Sequence, residues 1–122
     1  MAGNPNQVVG QARIKCDGDT LDTDGESTLE LGGPVREAVR GDYQAGSFSE
    51  KTAESKLTSK ILVKRGTSLT ALRAIDNATI TMQTDTGQTF IIRNAYVADV
   101  VSISTSDGKA DVVFQGPPAE EI

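Results

Sequence analysis

At 122 residues the chain has the length of one domain, enough to bury roughly two-thirds of the surface its unfolded form exposes. It carries 17 acidic against 12 basic residues, a formal charge of −5, and no histidine. A negative chain with scattered lysines is poorly suited to gripping nucleic acid, which takes clustered Lys and Arg to displace counterions. Without histidine, neither a Ser-His-Asp nor a Cys-His catalytic arrangement can be built.

The single cysteine, Cys16, excludes an internal disulfide and suits a reducing cytoplasm. No apolar run approaches the roughly 20 residues that span a bilayer, and the first residues lack a basic segment followed by an apolar core. The expectation is a chain with neither a membrane anchor nor a secretory signal.

In chain order, residues 1–11 are polar, contain Pro5 and Gly10, and read as a mobile N-terminal arm. Residues 12–16 alternate Ala, Ile and Cys with Arg and Lys and predict a first strand. Asp17-Gly18 and Asp24-Gly25 are turn dipeptides around a short segment centred on Leu21. Residues 27–31 alternate Leu29 and Leu31 with Thr28 and Glu30. Gly32-Gly33-Pro34 interrupts that strand, and residues 35–40 can resume it after a kink, because Pro34 cannot donate to a ladder. Gly41, Asp42, Tyr43, Gln44, Ala45, Gly46 and Ser47 read as an exposed loop.

The longest pattern follows. Within residues 49–63, read as one strand, the odd positions from Ala53 to Val63 are apolar or small and the even ones mostly polar, the period-2 signature of a strand with one packed and one wet face. Fifteen residues would run roughly 50 Å, far beyond the usual strand of about 5–6 residues. A strand this long suits a chain that reaches past its own body to line a surface shared with copies of itself. The alternation turns Leu57, Ile61 and Val63 toward the core. It leaves Glu54, Lys56, Thr58 and Lys60 on the other side.

Arg65-Gly66 closes that strand, and Thr67 or Ser68 can cap a short helix carrying Leu69, Leu72 and Ile75, with Asn77 as a left-handed stop. Residues 78–84 return to alternation, and Asp85-Thr86-Gly87-Gln88 turns into a partner strand with Phe90 and Ile92 on its apolar side. Residues 96–105 are apolar on both sides over several positions and predict a central or doubly covered strand. Asp107-Gly108 makes another hairpin turn before a last strand at residues 110–115. Gly116-Pro117-Pro118 is expected to end the fold, so that residues 12–116 form the domain and 117–122 an acidic tail.

No constellation of chemistry emerges. Cys16, inside an alternating strand, reads as a buried apolar residue rather than a reactive thiol. Asp17, Asp19, Asp22, Asp24 and Glu26 invite a calcium loop. Aligning Gly25 with the invariant glycine, however, puts Thr20 and Leu31 where acidic ligands belong. Asx-stabilised turns are the better reading. Gly108-Lys109 is followed by Ala110, so no phosphate-binding loop is present, and few aromatics are available to stack sugars. The chain is expected not to be an enzyme and to need no cofactor.

The ordered set of segments resembles the tail tube proteins of contractile phages, in particular the Mu-like group. The carriers are the first strand ending in Asp17-Gly18, Leu29-Glu30-Leu31-Gly32-Gly33, Gly41-Asp42-Tyr43 and the long alternating strand. In the second half they are the helix, Ala78-Thr79-Ile80-Thr81, Thr84-Asp85-Thr86-Gly87-Gln88-Thr89, Arg93-Asn94-Ala95 and Val113-Phe114-Gln115-Gly116-Pro117.

The resemblance implies a mainly β fold, an antiparallel β-sandwich or partly open β-barrel with one short flanking α-helix. Hairpins of six subunits would join into a ring-shaped β-barrel, and rings would stack into a hollow tube. On that basis Glu54, Lys56, Thr58 and Lys60 would face the lumen or a neighbouring subunit. A second lumen hairpin would be either 78–93 or 97–115, the latter favoured by its serine-lined face, Ser102 and Ser104. The loop from Gly41 to Ser47 would order between stacked rings.

Implied partners are further copies of the chain, the tail sheath, tape-measure, baseplate and tail terminator proteins. DNA would pass through the lumen without specific binding, and an acidic wall would suit that role. Assembly would take place in the host bacterial cytoplasm and the product would sit in the virion tail. The competing class is a small β-sandwich that binds a surface carbohydrate or peptide.

Overall fold

The computed structural model describes residues 3–122; the first two residues of the expected N-terminal arm lie outside them. The chain runs β1 (Ala12–Cys16), β2 (Asp19–Leu21), β3 (Thr28–Glu30), β4 (Gly33–Val39), β5 (Ser47–Ala53), β6 (Ser55–Leu62), α1 (Leu69–Arg73), β7 (Ala78–Thr84), β8 (Thr89–Val97), β9 (Ser102–Ser104), β10 (Lys109–Gly116) and β11 (Glu120–Glu121). The fold is mainly β with one short helix and open sheets, as expected. The main sheet has the order β2-β1-β7-β8-β10-β6-β3, and β4 and β5 form a separate two-stranded ribbon.

β8 is where the main sheet turns. Its first half pairs with β7, through Ile80–Ile92 and Met82–Phe90, while Tyr96 and Val97 at its end pair with β10. Between them the β7 register shifts, and Asn94 takes a left-handed φ of 54°. One extra residue bends the strand and lets it serve two layers. At the same corner Gly116 comes so close that a β-carbon there would stand 2.7 Å from Ile92 Cγ2. Between the layers lies a mostly aliphatic core of Ile14, Leu57, Ile61, Ile80, Ile92 and Val112 around the single ring of Phe114.

Several expectations need correction. The strand predicted over residues 49–63 breaks at Glu54 into β5 and β6. Residues 96–105 form no central strand: β8 ends at Val97, Val100 is 89 % exposed, and β9 is a short exposed strand on the flank of β10. A run apolar on both sides in sequence is here divided between the end of β8, a loop and β9, with Val97 and Val101 packing inward. The acidic tail also does not lie beyond the fold. Ala119 N–H donates to Leu31 O at 2.8 Å, β11 pairs with Ile91 and Phe90, and Arg93 meets Glu120 at 3.1 Å.

The helix is shorter than its apolar spacing suggested. Ser68 caps it, its hydroxyl accepting from Ala71 N at 3.2 Å, but it ends at Arg73 with Ala74 as cap in the right-handed region, and Asn77 is not a stop. Leu72 and Ile75 still pack on the core, and Ile75 O takes the Val97 N–H at 3.0 Å.

Candidate assembly surfaces

The long hairpin carries two very different surfaces. In its inner half, Thr28 faces Thr58 and Glu30 faces Lys56. Three positions on from Glu30 and three back from Lys56, Gly33 faces Ala53, and the ladder continues out to Val39 and Ser47. The register is therefore kept across the break, and one hairpin extends from residue 28 to 58 with a short unpaired gap in the middle. Ser47, expected in the loop, opens β5.

The gap is crowded. Gly32 adopts φ +73°, and a β-carbon there would lie 2.6 Å from Glu54 C and O. Only glycine permits the two strands to cross so closely with that backbone. Glu54, expected on the wet face of a continuous strand, falls in this break, where the chain leaves the sheet.

Beyond the gap the ribbon stands clear of the body. Seven residues per strand reach roughly 20 Å. Val35 is 54 % exposed and Phe48 57 %, and Tyr43 at the tip is 99 % exposed. Arg36 pairs with Glu50 at 2.7 Å across the ribbon and lies 5.8 Å over the Phe48 ring. An exposed pair of this kind contributes at most about 1 kcal/mol. The tip, residues 41–46, is closed by Gly41 N–H to Gln44 O at 2.8 Å. Among the described residues both outer edges of this two-stranded ribbon are unpaired; such a ribbon is marginal by itself and is a template for pairing with another chain.

Before the gap the predicted alternation holds. In β6, Ser55, Leu57, Ser59 and Ile61 are buried, whereas Lys56, Thr58 and Lys60 are on the opposite face. Val63, beyond the strand end, is half-buried. The registers of β10 align these residues with others of the same parity. Lys56 lies opposite Gln115 and Glu30, Thr58 opposite Val113 and Thr28, and Lys60 opposite Asp111. On the far side of β10, Ser102 is opposite Asp111 and Ser104 opposite Lys109. Of the six residues singled out for this face, five share one sheet surface and Glu54 does not.

The carboxylates of this surface escaped the sequence reading. Residues 22–24 run along the outer edge of β6, with Leu62 N–H to Asp22 O at 2.8 Å and Asp24 N–H to Lys60 O at 3.1 Å. That places Asp22 3.2 Å from Lys64, Asp24 3.0 Å from Lys109 and Glu26 3.5 Å from Lys60. The acidic run thus faces the lysine row. Asp24 also makes the anticipated Asx turn, accepting from Glu26 N at 2.9 Å. That backbone hydrogen bond first, and Lys109 second, hold its carboxyl below the usual range, while Asp24 raises the Lys109 ammonium. Matching acids to lysines needed the placement of residues 22–24 along β6 and the register of β6 with β10, which no local pattern contains.

Cys16 is half-buried against the core, and burial first, then Asp17 and Asp19, push its thiol up. A thiol so disfavoured as a thiolate is a weak nucleophile. Among the described residues no group of three or more His, Cys, Asp or Glu is arranged to hold a metal, and no helix is long and apolar enough to cross a membrane.

The profile of the phage tail tube protein family matches residues 5–121. The chain is 34 % identical over 103 residues to the Mu-like prophage FluMu tail tube protein of Haemophilus influenzae, covering 84 % of this chain and 86 % of the relative. In fold it is similar to a chain in the sheath/tube terminator of the extracellular contractile injection system PVC in its extended state. There the TM-score is 0.68 at 11 % identity, over 99 % of both chains. It also resembles a chain of the tube-terminating cap of the anti-feeding prophage, with TM-score 0.68 at 8 % identity over 100 % of this chain and 94 % of that one. With a family profile over nearly its whole length and a relative of this identity, the chain belongs to the phage tail tube protein family and has that family's structural role.

Proposed function

We propose that the chain forms hexameric rings that stack into the hollow inner tube of a contractile tail, a conduit through which DNA leaves the particle. The observation that carries this is the β4–β5 ribbon, in register with the body yet open along both edges. Closing such ribbons into a ring pairs their edges and removes the aggregation hazard. The sheath, terminator, tape-measure and baseplate proteins are its partners, and the role is passive, with neither cofactor nor catalysis. Assembly in the bacterial cytoplasm and residence in the virion tail follow from the same reading.

In this reading Lys56, Thr58, Lys60, Ser102 and Ser104 face the lumen or a neighbour, and the loop from Gly41 to Gly46 orders between rings. The sheet face favours a wall of mixed sign over the acidic wall that would suit DNA passage, because Glu30, Asp111, Asp24 and Glu26 stand beside or opposite its lysines. Rows of alternating sign at strand spacing cancel within about a Debye length and offer a passing polyanion no long-range field of one sign.

Light scattering and negative-stain microscopy across a concentration series test the assembly. Rings or tubes are expected. A compact monomer at every concentration, even with a tape-measure fragment present, contradicts it. Deleting residues 43–47 should leave folded monomers that do not polymerise, and normal tubes from that variant would remove the loop from the inter-ring contact.

A further inference from the structure

The unpaired gap in the long hairpin is not left open. Where its ladder lapses, the C-terminal segment supplies the missing partners. Leu31 O, which has no cross-strand donor there, accepts the Ala119 N–H at 2.8 Å. The buried Ser55 hydroxyl donates to Pro117 O at 2.7 Å and lies 3.3 Å from Gly116 O. Pro118 sits over Gly33, 3.9 Å from where a β-carbon would stand. The same segment is then tied to the body by β11 on β8, by Ile122 N–H to Thr89 O at 2.9 Å, and by Arg93 to Glu120. Leu31 and Ser55 are thus the two body-side ends of the hinge, both tied to the C-terminal segment, and Pro118 over Gly33 is the contact by which that segment reaches the ribbon side.

A hairpin whose ladder is interrupted at a glycine pair can swing there, since Gly32 and Gly33 both occupy positive φ and few hydrogen bonds span the gap. The direction of the ribbon is then set by whatever crosses the hinge. We propose that residues 117–122 are a latch that fixes the direction of the β4–β5 ribbon against the body, and that this preset direction lets subunits join. The chemistry of the latch is backbone to backbone and backbone to hydroxyl, so it does not depend on the acidic side chains of the tail beyond Glu120. A ribbon already aimed need not lose orientational freedom on joining a neighbour, and preorganisation of that kind accelerates association. The assembly half of the proposal rests on the tube reading above; the latch half concerns the single subunit.

Spin labels at Ser49→Cys on β5 and Arg73→Cys on α1, in a Cys16→Ser background, report the ribbon's direction as a distance distribution. The chain is diluted until monomeric. Ala119→Pro removes the N–H that Leu31 accepts, and Ser55→Ala removes the hydroxyl bond with less disturbance. The parent should give one narrow distance, and both variants a distribution at least twofold broader, with melting still cooperative. Tube growth at equal concentration should then slow by tenfold or more for Ala119→Pro. Equal widths in parent and both variants overturn the latch. Broader distances with unchanged growth overturn its role in assembly. A parent chain that never assembles contradicts the tube reading and leaves the distance comparison to decide the latch.

Discussion

The two halves of the long hairpin share a register and a sequence pattern, yet one is core and the other is solvent. In the inner half β6 buries Leu57 completely against Leu29, Val112 and Phe114. In the outer half every residue of β4 after Gly33 is exposed, and so is β5 up to Thr52. Backbone pairing is the same in both, so hydrogen bonding does not distinguish them. What differs is the layer beneath: Leu57 and Ile61 of β6 share the core with Ile14, Ile80 and Ile92 from β1, β7 and β8, whereas no described residue buries the ribbon. Alternation in a sequence therefore specifies a strand with two unlike faces, and the rest of the chain, or another chain, determines whether the apolar face is covered.

Substitutions in matched pairs sharpen that contrast. The largest expected effect is Leu57→Asp, which sets an unpaired carboxylate in the core, costs several kcal/mol and prevents folding. Val35→Asp, at an apolar position of the ribbon, should change stability by no more than about 0.5 kcal/mol. Thermal melts of the two decide whether the halves differ as described, and equal losses would break the comparison. At the hinge, Gly32→Ala forces a β-carbon against the Glu54 backbone at positive φ and should cost about 1–3 kcal/mol. Gly46→Ala, in open space at the ribbon tip, should be within about 0.5 kcal/mol of the parent in urea titrations.

Smaller effects test the electrostatics of the body. The Asp24 carboxyl is held below its ordinary value, so its contribution is fully present above the ordinary carboxylate range and is lost as pH falls through its lowered folded value. Lys109 is raised, so its contribution holds below the ordinary lysine range and fades as pH rises through its raised value. Asp24→Asn should flatten the acid limb of a stability-against-pH curve, while Arg36→Gln on the ribbon leaves that limb unchanged. The smallest effect belongs to Ser59, whose buried hydroxyl has no hydrogen-bond partner among the described residues. Ser59→Ala should be neutral or slightly stabilising, because it removes a desolvated polar group that bonds to nothing. A loss above about 1 kcal/mol in chemical denaturation would show that the hydroxyl has a partner.

Much of the fold was legible in the chain because its signals are local. Residues 78–84 alternate and form β7 with the same bounds, and Gly87 and Gly108 take the positive φ their hairpin turns require. The facing of Leu57 and Ile61 followed from parity alone. What could not be read required long-range registers. The break at Glu54 lies against Gly32 of the opposite strand, and of the apolar residues in 96–105 only Val97 and Val101 reach the core. The acidic segment before Gly25 finds its lysines only because it runs along β6. The tail looked terminal, since two prolines usually end pairing, yet Ala119 and Glu120 resume it beyond them. Lys56, Thr58, Lys60, Ser102 and Ser104 share one sheet face, as their parity implied, whereas the carboxylates beside them emerge only in the folded chain.

The central claim is that the ribbon joins subunits while the body folds without it. Sedimentation velocity with Val35→Asp/Val39→Asp tests it most directly, because both positions are exposed on the ribbon and neither touches the core. The account predicts a variant that melts as the parent does and sediments as a folded monomer at concentrations where the parent forms rings or tubes. A variant that assembles at the parent's concentration, with the parent's sedimentation profile, would contradict it.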